Sequence, residues 1–337
     1  MYLSFYGLQE RPFNPTPDPR FLFLSPGHRE ALAQLEYGVR ERRGFLVLTG
    51  EVGTGKTTLL QALLGRLGSD TEVAYIFNSR LSFEELLEYI LEDFGIAASG
   101  LSHVQRLMAL NRFLTERRRA NLDTVLIIDE AQNLDPPTLE QIRLLSNFET
   151  PTEKLLQILL VGQPELQEKL LLPELRQLRQ RIGLRCRIQP LSAGETREYI
   201  EHRLGVVRKP FSNPNSTMNG AAPFTGRAVR LISGYSRGIP RVANIVCDHC
   251  LLIGYADQEA QIGPNIVRQA IRYLEDGERP DRQPSEISLS SIAARWGLGS
   301  VTALGLLSIA LSSGVLSNAL SSVTILVSDL MRYFTRP

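Results

Sequence analysis

From residue 45 to residue 189, short and nearly continuous apolar runs alternate with stretches whose apolar positions recur at helical spacing. The runs at 45–49, 72–78, 125–129, 156–162 and 184–189 read as five strands. The first four carry almost no polar alternation, as expected of strands covered on both faces. Helices fill the intervals, and several have legible starts. Ser82 with Glu85, Ser102 with Gln105, and Thr138 with Gln141 stand at capping-box spacing, where each side chain satisfies an orphan N–H of the other residue. A helix at about 28–42 precedes the first strand. Strands alternating with helices predict a parallel sheet sandwiched by helices.

After Ser192 the strand pattern stops. Helices are expected at about 192–204, where Ser192 and Glu195 form another box, and at 225–235, 240–255 and 264–275. The last two open on proline at the first helical position, where its missing N–H costs nothing. The fold class predicted is therefore α/β, a parallel five-stranded sheet between helices, followed by a small all-helical domain and a C-terminal hydrophobic helix. The expected organisation is an arm at 1–27, the sheet domain at 28–190, the helical domain at 191–275, a linker at 276–295, a hydrophobic segment at 296–328 and a short tail at 329–337. Residues 209–224 read as a polar, turn-rich loop between the first two helices of the helical domain.

Composition narrows the possibilities. Of 337 residues, 43% are apolar and 22% charged, which excludes wholesale disorder. Lys and Arg total 37 against 36 Asp and Glu, so no global basic field points to nucleic acid. Three cysteines and four histidines do not make a disulfide scaffold, leave little for a structural metal, and suit a reducing cytosol. The first residues have no basic stretch followed by an apolar one and do not read as a signal peptide. The other end differs, because residues 296–328 are 33 in succession without a charge. Within them, 298–316 has the length of a membrane span but carries four serines. A membrane span is the expected reading, making 296–328 a C-terminal anchor to the inner membrane, with an interfacial segment and a soluble oligomerisation helix as the alternatives.

Residues 1–23 hold Tyr2, Phe5, Tyr6, Phe13, Phe21 and Phe23 together with prolines at 12, 15, 17 and 19. Proline at that density prevents a regular element, so this is an arm that must dock its rings elsewhere. It either covers a ligand such as a nucleotide base or simply packs.

The chemistry lies in Gly50-Glu51-Val52-Gly53-Thr54-Gly55-Lys56-Thr57, followed by Thr58. Glycines let a loop turn tightly, with successive N–H groups pointing inward at phosphate oxygens. The helix that follows adds its positive end. Lys56 is expected on the β and γ phosphates of ATP and the Thr57 hydroxyl on magnesium. The pattern follows a predicted strand and opens a predicted helix, which is the context that confirms it.

The second half of the site is Asp129-Glu130 at the end of the third strand. Asp129 suits the magnesium ion and Glu130 a general base for an attacking water. Gln163, just past the fourth strand, is placed to sense the γ-phosphate, or is a plain loop amide. Arg176, Arg179, Arg181, Arg185 and Arg187 crowd 175–187. One of them, Arg181 before Arg179, is a candidate for donation into a neighbouring subunit's site, the alternative being a solvated helix face. Arg241, in Gly238-Ile239-Pro240-Arg241, stands where it could report nucleotide to the helical domain. Cys247 and Cys250 look like a metal fragment, but no second ligand pair accompanies them, and core cysteines are the better reading.

Together GEVGTGKTT, IIDEAQNL, VGQPEL, LRQRIGLRCRIQPL, GIPRVAN and the opening FYGL…TPDPRFLFLS resemble bacterial AAA+ ATPases of the ExeA (general secretion pathway A) type over about residues 1–275. ATPases that accompany exosortase and exopolysaccharide clusters are similar. The resemblance implies a P-loop NTPase with Lys56, Thr57, Asp129 and Glu130 at the nucleotide, Gln163 as sensor 1, an Arg179/Arg181 finger and Arg241 as sensor 2. It implies ATP and Mg2+ as ligands and ring-like homo-oligomers, hexamers foremost, with nucleotide between subunits. It also implies work on the cytoplasmic side of the inner membrane, with export or secretion components as partners. ExeA-like proteins continue into a periplasmic peptidoglycan-binding region. The rival readings are a DNA-associated regulator like the TnsC transposition ATPases, against which the near-zero net charge argues, and a nucleotide-gated membrane scaffold of slow turnover.

Overall fold

Each of the five apolar runs forms a strand: β1 (Phe45–Gly50), β2 (Thr71–Ile76), β3 (Asp123–Ile128), β4 (Gln157–Gly162) and β5 (Ile182–Ile188). The computed structural model describes residues 2–14, 18–77, 81–208 and 223–276. All neighbouring strands are parallel, in the order β2-β3-β4-β1-β5. β1 and β4 are buried at every position, which accounts for their lack of polar alternation. β5 lies at an edge and alternates accordingly, with Arg185 and Arg187 exposed on either side of buried Cys186.

The twofold period of a strand divides the core into two layers. Phe45, Val47, Leu126, Ile128, Ile158 and Leu160 face one side. There they pack on α4 (Phe83–Asp93), α5 (His103–Arg119), α6 (Pro136–Leu145), α7 (Pro164–Leu170) and α8 (Arg176–Arg181). Leu46, Leu48, Val125, Ile127, Leu159 and Val161 face the other side, against α2 (Pro26–Arg40) and α3 (Lys56–Leu64). Complete burial of each such side chain contributes roughly 1.5–3 kcal/mol.

The helix starts are those expected, with one correction. Ser82, Ser102 and Ser192 cap α4, α5 and α9 (Ala193–Val207) in complete capping boxes. Thr138 caps nothing. Asp135 is the N-cap of α6, its Oδ1 accepting the Thr138 N–H at 2.9 Å, and Pro136 occupies the first turn. A carboxylate at the N-cap followed by proline outcompetes a threonine three residues later, because proline pre-sets the helical φ one position earlier.

The helical part comprises α9, α10 (Gly226–Ser236), α11 (Pro240–Ala256) and α12 (Pro264–Asp276). Its core also takes in the arm. Tyr2, Tyr6, Leu8, Phe13 and Phe21 are buried among Leu191, Tyr199, Leu204, Phe224 and Cys247. The arm opens with the single turn α1 (Tyr2–Phe5), and Gln9 N–H then donates to the Val207 carbonyl at 2.9 Å. Cys247 and Cys250 are fully buried core side chains, their thiols pushed well above the usual range by burial. Most of the expected 209–224 loop, the linker beyond Asp276, the uncharged stretch 296–328 and the tail 329–337 lie outside the described residues. Among the described residues no helix is long and apolar enough to cross a membrane.

Candidate functional site

The strand order sets the C-terminal ends of β3, β4 and β1 side by side. The three sequence signals leave the sheet at these ends: the carboxylate pair after β3, Gln163 after β4 and the glycine loop after β1. Crevices outside the carboxyl ends of strands are where open parallel sheets bind ligands.

The loop has the shape its glycines predict. Gly53 and Gly55 adopt φ of 80° and 101°, left-handed values that favour glycine. At Gly50 an added Cβ would lie 2.9 Å from Thr54 Oγ1 and 3.0 Å from the Ile188 carbonyl oxygen, so the turn admits no side chain there. Thr54 is buried and its hydroxyl donates to the Glu51 carbonyl at 2.8 Å, closing the loop on itself. Gly55 is the N-cap of α3, and Lys56 begins that helix. The Lys56 ammonium is buried and donates to the carbonyls of Gly50 at 2.8 Å and Glu51 at 3.2 Å. Burial lowers its pKa, while attraction from Glu130, Asp129, Glu51 and Glu165 pulls the other way. Val52 and Thr57 lie at the surface of the loop, and Thr58 is half-buried.

The carboxylates are held individually. Asp129 N–H donates to the Ile76 carbonyl at 2.8 Å, extending the β2–β3 ladder by one bond. Its side chain is buried, with Oδ1 accepting the Glu130 N–H at 2.9 Å and Oδ2 accepting the Tyr75 hydroxyl at 3.0 Å. Burial and the Asp129 charge push the Tyr75 phenol up, so it remains a donor. Glu130 has φ 52° and ψ 34°, an uncommon left-handed conformation for a residue with a Cβ. Two amides reach its Oε2, Gln132 Nε2 at 2.5 Å and Gln163 Nε2 at 3.1 Å.

The helical part closes over the loop from above. Arg241 N–H donates to the Gly53 carbonyl at 3.3 Å, and Leu191 N–H donates to the Gly238 carbonyl at 2.8 Å. Gly238 has φ 75°, and an added Cβ would come within 1.9 Å of the Leu191 carbonyl oxygen. His28, buried at the start of α2, places Nε2 2.9 Å from the Thr54 carbonyl. A carbonyl only accepts, so Nε2 carries the proton and Nδ1 takes one from Ser25 Oγ at 2.7 Å. Burial holds His28 below its ordinary pKa.

Between these parts lies a cavity of about 660 Å³, within the range of small-ligand sites. The loop from Val52 to Leu59, Glu130, Arg241, Tyr199, Asn244 and the arm residues Phe13, Phe21 and Phe23 line it. The packing expected of the arm is present, and three of its rings also stand at the cavity. Its rings pack into the helical core, as in the edge-on contacts of Phe13 with Phe224 and Phe23 with Tyr199, and they also wall the cavity. The hard-oxygen donors Thr57 and Asp129, a buried ammonium and a loop that admits no extra Cβ fit a magnesium nucleotide.

Arg179 and Arg181 are not brought to this cavity. Arg181 Nη1 donates to Ser146 Oγ at 2.7 Å and Asn147 Oδ1 at 2.6 Å, and Arg179 Nη1 lies 3.5 Å from the Leu171 carbonyl.

Residues 39–170 match the AAA domain family. This chain has an AAA fold. Over 259 residues it is 42% identical to general secretion pathway protein A of Aeromonas hydrophila, covering 76% of this chain and 45% of that protein. The ExeA-type resemblance therefore holds, and the chain spans less than half the length of this curated relative. Among solved structures, Cdc6p of Pyrobaculum aerophilum is similar at a TM-score of 0.55 with 19% identity, covering 77% of this chain and 69% of that one. RuvB of Thermotoga maritima follows at 0.51 with 17% identity, covering 85% and 86%. At such identities these likenesses show the fold alone.

Several side chains at the site were not singled out by the sequence, among them Gln132, Tyr75, His28, Tyr199, Asn244 and Arg203, a buried arginine of α9 that also lines the cavity. Gln132 had a usable signal, as an amide two residues after a carboxylate pair. The others act through contacts between distant segments.

Proposed function

We propose that this chain is an ATP hydrolase of the ExeA type that works at subunit interfaces to drive assembly or remodelling of a bacterial envelope secretion or exopolysaccharide export system. The observation that carries the reading is the single cavity shared by the phosphate loop, Glu130 and Arg241. Loop N–H groups and Lys56 bind the β and γ phosphates, and Thr57 and Asp129 hold magnesium. Held there, magnesium would supply charge neutralisation at the phosphates. Glu130 takes the proton of a water as that water attacks the γ-phosphorus. The bond to the β–γ bridging oxygen breaks, leaving ADP and inorganic phosphate. Gln163 orients the water, and Arg241 reports the γ-phosphate to the helical part.

Arg181, or Arg179 if not Arg181, serves a neighbouring subunit of a ring. What supports that role is that neither arginine lines the cavity of its own chain. The uncharged sequence 296–328 and the secretion relative support a place at the cytoplasmic face of the inner membrane.

The test is phosphate release by the full chain with Mg-ATP, beside Glu130→Gln. Loss of a general base lowers turnover by about 10²–10⁴-fold while nucleotide binding persists. Equal rates for the two proteins would sink the hydrolytic reading.

A further inference from the structure

Glu130 cannot be aimed by its own backbone alone. It stands in a left-handed conformation at the end of a strand, and its side chain has several rotatable bonds with which to miss a water. What aims it is another side chain. Gln132 Nε2 donates to Glu130 Oε2 at 2.5 Å, while Gln132 Oε1 accepts the backbone N–H of Gln163 at 3.1 Å. The amide has only one possible orientation. The Gln163 N–H can only donate, so it fixes Oε1, and the opposite end of the amide must then face the carboxylate, which only accepts.

Gln132 is itself anchored. Lys169 Nζ, on α7, donates to the carbonyls of Gln132 and Leu134, each at 2.6 Å. Gly162 makes room for the amide, since a Cβ there would lie 2.7 Å from Gln132 Oε1. The side chain is thus wedged between the ends of β3 and β4 with both amide atoms engaged. Gln163 Nε2 also reaches Glu130 Oε2, at 3.1 Å. These two glutamines are not equivalent. Gln163 is the one that must turn toward a γ-phosphate if it is to sense it, and doing so releases its hold on the carboxylate. Gln132, pinned at the other end by a backbone N–H, has no such freedom.

We infer that Gln132 is a positioning residue. Its amide holds the Glu130 carboxylate in place when Gln163 leaves for the nucleotide, and it ties that carboxylate mechanically to the β4 end on which Gln163 sits. The inference rests on the hydrolytic reading above.

The experiment uses the full chain and two substitutions. Gln132→Met keeps the length of the side chain and removes donor and acceptor together. Gly162→Ala changes no functional side chain chemically and pushes the Gln132 amide from behind, its Cβ also lying 3.0 Å from Leu166. Phosphate release at saturating Mg-ATP and the Kd of a fluorescent ATP analogue are read for both, beside wild type and Glu130→Gln. The expected result is a loss in kcat of about tenfold or more for each variant, with Kd within about twofold of wild type, because the hydrogen bonds of Gln132 run to Glu130, Gln163 and Lys169 rather than to the phosphate loop. Should both variants turn over as fast as a wild-type protein that itself exceeds Glu130→Gln, Gln132 positions nothing, and hydrolysis by Glu130 stands without it. Equal loss of kcat and nucleotide affinity would make Gln132 a general structural support and overturn the inference. A wild type no faster than Glu130→Gln would overturn the inference and the hydrolytic reading together.

Discussion

Gly53 and Arg241 meet backbone to backbone, the Arg241 N–H donating to the Gly53 carbonyl at 3.3 Å. A phosphate loop and the first turn of a helix almost two hundred residues later thereby touch without an intervening side chain. The approach is possible because position 53 has no Cβ. An added one would stand 2.7 Å from Arg241 Cβ, and the φ of 80° at Gly53 already disfavours any other residue. The helical part therefore cannot settle on the loop unless that residue is glycine.

Gly53→Ala is expected to leave the sheet folded and to weaken nucleotide binding by about tenfold or more, since one such step corresponds to only about 1.4 kcal/mol. Titration of a fluorescent ATP analogue against the variant measures this. An unchanged Kd would show that the helical part does not need to seat on the loop for binding.

Tyr75→Phe removes one hydroxyl and nothing else. The lost bond is the one that Asp129 Oδ2 accepts at 3.0 Å, and Asp129 is only 6% exposed. Leaving a buried charged acceptor short of a partner costs about 1–3 kcal/mol. Urea unfolding without nucleotide should show a drop of that order, accompanied by a higher magnesium requirement for ATP binding, because the free carboxylate is no longer held in one rotamer. A midpoint identical to wild type would mean that water replaces the phenol at no cost.

His28 gives the protein a dependence on pH whose sign can be stated in advance. Burial lowers its folded pKa, with the Thr54 hydrogen bond and the Glu195 charge opposing the shift. In the unfolded chain it titrates near about 6.5. As the pH falls below that value the unfolded chain binds a proton that the folded one refuses, so stability is lost on the way down to the folded pKa. His28→Gln can still donate to the Thr54 carbonyl but does not titrate. Melting temperatures measured from about pH 7.5 to about 5.5 should therefore fall more steeply for wild type than for the variant. Parallel curves would rule out His28 as the source of the slope.

What the sequence could show followed the range of the forces involved. Strand existence, the serine capping boxes and the glycine loop are set by residues a few positions apart, and they appear where local pattern places them. The start of α6 shows the limit of that reasoning. Thr138 and Gln141 match a box, but Asp135 followed by two prolines is the stronger signal and was equally legible. The supports of the site were out of reach for a different reason. His28 finds Thr54, and Tyr75 finds Asp129, only because a sheet order that no local pattern encodes brings their segments together. The arm shows the same thing: its rings announced that they must be buried, while their partners in the helical core, and the bonds from Arg203 to the Pro12 and Asn14 carbonyls, join segments far apart in sequence.

Arg203 is the part of that arrangement most open to test. It is a buried guanidinium on α9 whose Nε donates to the Pro12 carbonyl at 2.6 Å and Nη2 to the Asn14 carbonyl at 3.1 Å. Its Nη1 donates to the Tyr199 hydroxyl at 3.0 Å, which in turn donates to Asn244 Oδ1 at 2.9 Å. The planar cation also lies 4.6 Å from the centre of the Phe21 ring. Four directed contacts from one flat group cannot be reproduced by an ammonium, which has the charge but neither the fork nor the face. Arg203→Lys is therefore expected to lose about 2–4 kcal/mol by urea unfolding, the loss typical of breaking a buried charged network. The arm between residues 9 and 21 should become a protease-sensitive site at the same time. Because Phe13 and Phe21 wall the cavity, nucleotide affinity should fall with the arm's release. Added ATP analogue should then restore part of the protection, since binding to the folded state alone pulls the equilibrium back. A lysine variant that melts with wild type and resists protease equally would show that the arm is held by its rings, with the guanidinium incidental.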